Sequence, residues 1–272
     1  MEIPWCRKAW WEHQSLKLSN WLLVDAWYRS RCLELPHAGE SLVPVLDMAN
    51  HSSQPNAYYE QTPNNDVTLL LRPDVKLEPG SEITISYGES KSEAEMLFSY
   101  GFIDEQNTSN EIILTLSTLP DDPLGKAKFT VFNGSPVVRI FSEGPGHIEW
   151  ESPFIYLACL NEEDGLEFKI LQQTDGSQSQ LRLFWQGSDV TEESANFRDF
   201  ISHHDLEEIF RLRVTALLQD RIRQQLEKLY ESDDEVQSLA SVAKDRHKAA
   251  LQLRMTETAI LEAAYANVEL QV

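Results

Sequence analysis

Asn50-His51 sets an amide beside an imidazole. The pair opens the polar run Asn50-His51-Ser52-Ser53-Gln54-Pro55-Asn56, which follows an apolar stretch ending at Asp47-Met48-Ala49. By residue type alone this is a hydrogen-bonded turn that offers donors and acceptors together. Asp47 reads as a turn-capping carboxylate. About thirty-five residues later, Ile85-Ser86-Tyr87-Gly88 puts a phenol at the end of an alternating stretch, and Phe98-Ser99-Tyr100-Gly101-Phe102 puts another before a glycine. A tyrosine at a strand end ordinarily packs with its hydroxyl satisfied. Ser30-Arg31 closes the first helical stretch, where the helix dipole favours a cation. These side chains suit binding and orienting a polar ligand. Nucleophilic, phosphate-loop and dinucleotide chemistry have no motif here, since no Gly-x-Ser-x-Gly, Gly-x-x-x-x-Gly-Lys or Gly-x-Gly-x-x-Gly occurs. The seven histidines show no metal-ligand spacing, and no metal is expected.

The elements that position these residues are short. Apolar residues at helical spacing predict a helix over Leu16 to Arg31. Pro36 and Gly39 predict a loop over Leu33 to Glu40. Leu42 to Met48 reads as a buried segment or short strand, and Asn50 to Asn56 as a turn. Val67 to Arg72 predicts a strand. Glu82 to Tyr87 predicts another, with Ile83, Ile85 and Tyr87 on one face. Ser92-Glu93-Ala94-Glu95 is a capping box for a short helix to Tyr100, which Gly101 ends. A polar boundary at Asp104 to Asn110 precedes a strand from Glu111 to Leu116. Short extended pieces or loops are expected at Thr130 to Phe141, Glu167 to Gln172 and Gln180 to Trp185. Helices follow over Phe197 to Leu229 and Val236 to Tyr265, joined by the acidic connector Glu231 to Glu235. No repeat of fixed period is visible.

Asp47-Met48-Ala49-Asn50-His51, Ile85-Ser86-Tyr87-Gly88 and Ser99-Tyr100-Gly101-Phe102, in this order and spacing, resemble the C-terminal half of a SET domain. A helix, Ser30-Arg31 and a loop before them, with no cysteine cluster after Phe102, make the chain similar to the Rubisco large-subunit methyltransferase-like branch. Leu253-Arg254-Met255-Thr256-Glu257 resembles a segment in the last helix of that branch. The resemblance implies an S-adenosylmethionine-dependent protein-lysine N-methyltransferase. It implies cofactor contacts from Asn50, His51, Asp47, Arg31, Ser30 and Tyr100, with Arg31 suited to grip a carboxylate bidentately. Tyr87 is implied beside the transferred methyl group. It would position a lysine amine that must shed its proton and align with methyl carbon and sulfur. Tyr58, with Tyr59 as its neighbour, is placed in the lysine channel. The family's front, strands carrying a Gly-x-Gly-like segment, does not occur in Met1 to Ser15. Half of the cofactor pocket is therefore expected to lie outside this chain. The alternative reading is a non-catalytic, SET-derived module that docks a basic partner.

The expected fold is α+β: residues 1–110 a partial SET domain of short strands and turns, and residues 111–272 a mainly helical substrate-binding domain. The 272 residues, 42% hydrophobic and 10% aromatic, can build real cores. A net charge of -21 speaks against nucleic acid as partner, because phosphates need clustered Lys and Arg. A basic, lysine-containing protein segment fits that charge better. No apolar run has the length of a membrane span, and no signal peptide is read at the N-terminus. Three scattered cysteines form neither a disulfide framework nor a zinc set, which points to nucleus or cytoplasm.

Overall fold

The computed structural model describes residues 17–88, 91–104, 106, 110–117, 121–142, 146–171, 180–232 and 244–269. The chain folds as two compact units, Met1–Asn107 and Thr108–Val272.

The first unit is a set of two-stranded ribbons and two helices. Helix α1 (Leu18–Arg31) starts near its predicted place and carries Arg29 and Arg31 in its last turn, where cations complement the exposed carbonyls. None of its residues is buried. The expected loop at 33–40 is instead a hairpin, β1 (Leu33–Leu35) with β2 (Gly39–Ser41). Gly39, at φ 66°, supplies the left-handed residue that the tight return needs. The stretch 42–48, expected as a buried segment or short strand, is neither: only Leu46 is buried, and Leu42, Val45 and Met48 are exposed. Pro44 has no N–H for a ladder, and Val45 takes the costly φ of 78° that turns the chain into a single 3-10 turn, Leu46–Met48. Asn50–His51 is strand β3, followed by β4 (Ala57–Gln61) and β5 (Val67–Leu71), an antiparallel pair. The alternating stretch at 82–87 makes a shorter strand than expected, β6 (Thr84–Ile85). Ile85 is buried but Ile83 is 41% exposed, so the alternation holds for only one side chain of that pair. Helix α2 (Glu93–Tyr100) begins with the predicted capping box, Ser92 and Glu95 exchanging bonds, and stops at Gly101 in the left-handed region.

The second unit holds two antiparallel three-stranded sheets and the long helices. Strand β7 (Asn110–Thr115), helix α3 (Gly125–Val131), β8 (Val137–Ser142) and β9 (Ile148–Glu151) come first, and the sheet order is β7-β8-β9. Helix α4 (Pro153–Ala158), strands β10 (Leu166–Leu171), β11 (Gln180–Trp185) and β12 (Ser188–Asp189) follow, the strands forming the second sheet. Helices α5 (Phe197–Ser202), α6 (Glu207–Glu231) and α7 (Lys244–Glu269) complete it. Residues 236–243 of the expected last helix, and most of the acidic connector, lie outside the described residues. Along α6, Phe210, Val214, Leu218, Ile222 and Leu226 are buried at four-residue steps, one face of a helix. They join Val138, Ile140, Phe154, Ile155 and Leu166 in one core. Lys128 sits inside this unit at 2% exposure. Its Nζ donates to Asp122 Oδ2 at 2.6 Å and to the Ala158 and Leu160 carbonyls at 3.1 and 2.6 Å. It thereby satisfies carbonyls that the end of α4 leaves without helical partners.

Candidate active site

A very short parallel ladder frames the site. Strands β3 and β6 pair Asn50 with Thr84 and His51 with Ile85, which brings segments far apart in the chain into contact. Two residues of ladder hold little by themselves, and side chains reinforce them. Asn56 Oδ1 accepts from the Thr84 N–H at 2.9 Å, and its Nδ2 donates to the Glu82 carbonyl at 2.9 Å. Asn50 Nδ2 donates to Glu82 Oε1 at 2.5 Å. His51 Nδ1 accepts from the Tyr87 N–H at 3.1 Å, which assigns the ring proton to Nε2. Nε2 then faces Asp104 Oδ2 at 3.2 Å, close enough for a charge contact but out of line for a hydrogen bond. The imidazole is 7% exposed. Its geometry makes it a strut between the chain at 104 and the backbone of Tyr87.

Tyr87, so held, enters an aromatic cluster. Its hydroxyl donates to the Ala49 carbonyl at 2.8 Å. Its ring lies 4.6 Å from that of Tyr100 and 5.3 Å from that of His51, and Phe102 closes the group 6.4 Å from Tyr100. Burial pushes the Tyr87 phenol above its ordinary pKa, against the opposing pull of Arg31. Burial also raises Tyr100, aided by Tyr87 and Glu95. Burial and nearby Glu34 raise Tyr59. All three therefore stay neutral across the physiological range.

Two adjoining cavities open against this cluster. The small one, about 30 Å³, is walled by Ser30, Arg31, Asp47, Ala49, Tyr87 and Tyr100 among others. Arg31 Nη1 donates to the Asp47 carbonyl at 3.1 Å and stands 3.9 Å from Asp47 Oδ2. Ser30 Oγ donates back into the helix, to the Ala26 carbonyl at 2.7 Å. The larger cavity, about 910 Å³, shares Tyr59, Tyr87 and Tyr100 and adds the carboxylates of Asp25, Glu34 and Glu40. Asp25 is held by Arg29 at 2.8 Å and Glu40 by the Tyr28 hydroxyl. The Glu34 carboxylate makes no hydrogen bond or ion pair among the described residues.

Five of the residues singled out from sequence thus meet at one wall: Ser30, Arg31, Asp47, Tyr87 and Tyr100. Asn50 and His51 do not line either cavity. The exposed Asn50 spends its amide N–H on Glu82, and the His51 imidazole lies between Tyr87 and Asp104. Tyr58 is also outside both walls, and Tyr59 lines both. The reason is alternation along β4: Ala57 is buried, so Tyr59 shares its side and Tyr58 points the other way. Asp104 and Asn56 have no role in the motif reading, and Tyr59 appears there only as the neighbour of Tyr58. The strand period from Ala57 carried the signal that separates Tyr59 from Tyr58.

Comparison with known proteins follows the same lines. The sequence family described as cytochrome c lysine N-methyltransferase 1 matches residues 19–128. SET domain-containing protein 8 of Schizosaccharomyces pombe is 35% identical over 159 residues, which cover 57% of this chain and 36% of that protein. The ribulose-1,5 bisphosphate carboxylase/oxygenase large subunit N-methyltransferase of Nicotiana tabacum chloroplasts is 32% identical over 89 residues, covering 30% of this chain and 18% of that protein. Among solved structures, the SET domain of the Rubisco large-subunit enzyme, crystallised with methyllysine and S-adenosylhomocysteine, superposes with a TM-score of 0.61. The identity is 20%, and the match covers 99% of this chain and 59% of that one. The chain therefore spans well under half the length of these curated relatives.

Proposed function

We propose that this chain, related by sequence and fold to the SET-domain protein-lysine methyltransferases of the Rubisco large-subunit type, forms the lysine-facing part of an S-adenosylmethionine-dependent protein-lysine N-methyltransferase. The observation that carries this reading is one wall. Tyr59, Tyr87 and Tyr100 line it together with Glu34, whose carboxylate has no partner among the described residues, and Arg31 and Asp47 adjoin it in the smaller cavity.

The donor set suits the amino-acid end of the cofactor. Arg31 engages its own chain through Nη1 and keeps further N–H groups for a carboxylate. Asp47 supplies an acceptor for an ammonium. When bound, S-adenosylmethionine supplies a methyl carbon made electrophilic by its sulfonium sulfur. On the protein side, a lysine amine arrives protonated, with an unperturbed pKa of about 10.4. Glu34, with Asp25 and Glu40 near it, draws that cation and a basic flanking segment toward the larger cavity. Further in, half-buried aromatic faces exclude water and disfavour the charged amine. Tyr87 donates its hydroxyl proton to Ala49 and so turns its oxygen lone pairs outward, able to accept an N–H and fix the amine's direction. A phenol pushed up in pKa orients the amine; it is not poised to take the proton. The free thiols Cys32 and Cys159 support a reducing compartment, nucleus or cytosol.

Titration calorimetry of S-adenosylmethionine into the 272-residue chain tests the reading. Arg31→Ala should weaken binding by about tenfold or more, the loss of a charged hydrogen bond. An Arg31→Ala variant that binds as tightly as the parent removes the proposal, and a folded chain that gives no heat with the cofactor shows that these residues do not hold it by themselves.

A further inference from the structure

His51 is engaged at both nitrogens. Its Nδ1 takes the Tyr87 N–H at 3.1 Å, and its Nε2 stands 3.2 Å from Asp104 Oδ2. The Tyr87 and Phe102 rings crowd it at 5.3 and 5.9 Å. Asp104 is the less ordinary partner, a carboxylate whose side chain is 15% exposed. Its Oδ1 accepts the Gln106 N–H at 3.0 Å, whereas its Oδ2 is buried with no hydrogen bond among the described residues. A buried carboxylate oxygen without a donor is costly, and the edge of the imidazole is what faces it.

A neutral imidazole has two tautomers. With the proton on Nε2, Nδ1 offers its lone pair to the Tyr87 N–H, and a positive N–H edge faces Asp104. With the proton on Nδ1, two N–H groups confront each other at Tyr87, and a lone pair confronts the carboxylate. Both contacts are then repulsive. Asp104 and the Tyr87 backbone therefore select the same tautomer from opposite ends of the ring. The effect reaches the proposed reacting end of the site. Tyr87 lies two residues beyond the two-residue strand β6, and the imidazole lone pair supports its backbone where that ladder has ended. Its hydroxyl donates to the Ala49 carbonyl, two residues before His51, so phenol and backbone are held by one short segment.

We infer that Asp104 is a positioning residue for Tyr87: its carboxylate keeps the His51 proton on Nε2, and the bare Nδ1 keeps Tyr87 in place. A buried carboxylate behind a histidine can hold tautomer and orientation in this way. That Tyr87 orients an amine rests on the methyl-transfer reading; the link from Asp104 to Tyr87 does not.

Nitrogen-15 NMR of the full 272-residue chain, observing the imidazole nitrogens and the Tyr87 amide, tests the link. The parent should show a protonated Nε2 and a bare Nδ1 on His51. Asp104→Asn keeps the shape and removes the charge, and its amide N–H meets an Nε2 lone pair only in the other tautomer. In that variant Nδ1 should gain proton character, and exchange of the Tyr87 amide with solvent should quicken by about tenfold, the loss of one hydrogen bond. Asp104→Ser should move both signals the same way and serves where the Asn variant does not fold. Tyr87→Phe keeps the backbone bond and should leave the tautomer unmoved. On a lysine peptide, Asp104→Asn should lose about tenfold to a hundredfold in kcat with little change in cofactor affinity, since a misplaced group costs turnover. A proton on Nδ1 in the parent overturns the inference, as do tautomer and amide exchange unmoved in the Asp104 variants, or an unchanged kcat beside an active parent. A parent without turnover counts against the methyl-transfer reading alone, and the imidazole signals still decide for or against Asp104.

Discussion

At the residue scale the proposed chemistry rests on the hydroxyl of Tyr87. It is neutral, donated to Ala49, and held from behind by His51 through its own backbone N–H. Replacing it by Phe keeps the ring contacts with Tyr100 and removes the oriented oxygen, so turnover on a lysine peptide should fall more than cofactor affinity does. Equal turnover in the variant takes Tyr87 out of the reaction. The phenols also make a pH prediction. Burial raises Tyr59, Tyr87 and Tyr100 above the ordinary value of 10.0 in the folded chain. The unfolded chain releases these protons first, so their contribution to stability is complete below pH 10.0 and is lost as pH rises through the raised folded values. Ultraviolet phenolate absorbance should show a late-titrating class that shrinks by one in Tyr87→Phe.

At the scale of elements, the second unit hangs several ends on Lys128. One ammonium joins the segment before α3 to the end of α4 through Asp122 and two main-chain carbonyls. Lys128→Ala would leave the two carbonyls and the Oδ2 of Asp122, only 11% exposed on its side chain, without the lysine donor, while Asp122 Oδ1 keeps the Leu124 N–H. Breaking a buried pair in this way costs about 3–5 kcal/mol. A fall in denaturant midpoint of that size, with the two cavities of the first unit unchanged toward cofactor, is the expected result; an unchanged midpoint would show that water replaces the lysine. Cys159 lies in the same region, its thiol pushed up to about 12 by burial despite Lys128 and Arg213. In the first unit the elements are the reverse case: ribbons two to five residues long, stitched by Asn56, Glu82 and His51 instead of by long ladders.

Across the whole molecule, apolar surface is unevenly placed. The large core sits in the second unit. In the first, α1 leaves Leu18, Trp21, Leu22 and Trp27 exposed, from 53% to 74%. Apolar residues lie on every side of this helix, a pattern that elsewhere goes with burial on all sides. Such a patch binds apolar dyes and drives association. Nile red fluorescence and light scattering should both be high for the chain and should drop when Trp21 and Trp27 are changed together to Lys. Signals unmoved by that change would locate the apolar surface elsewhere.

The motif residues were legible because each announces itself within a few positions: a capping box at Ser92, a glycine stop at Gly101, an Asn-His pair after an apolar run. The α+β class and the helical end followed from periodicity, since a single face of α6 repeats every three or four residues. What the sequence left open was every partner brought in from a distance. Asp104 behind His51, Asn56 clamping Thr84, and Glu82 on Asn50 depend on a parallel pairing of only two residues, too short to show as a pattern. The choice of Tyr59 over Tyr58 depends on which side of β4 is buried, and a one-residue shift reverses that face. The exposure of α1 is likewise a fact of packing. Local chemistry determined which side chains were available, and only the tertiary structure decided which of them face the same space.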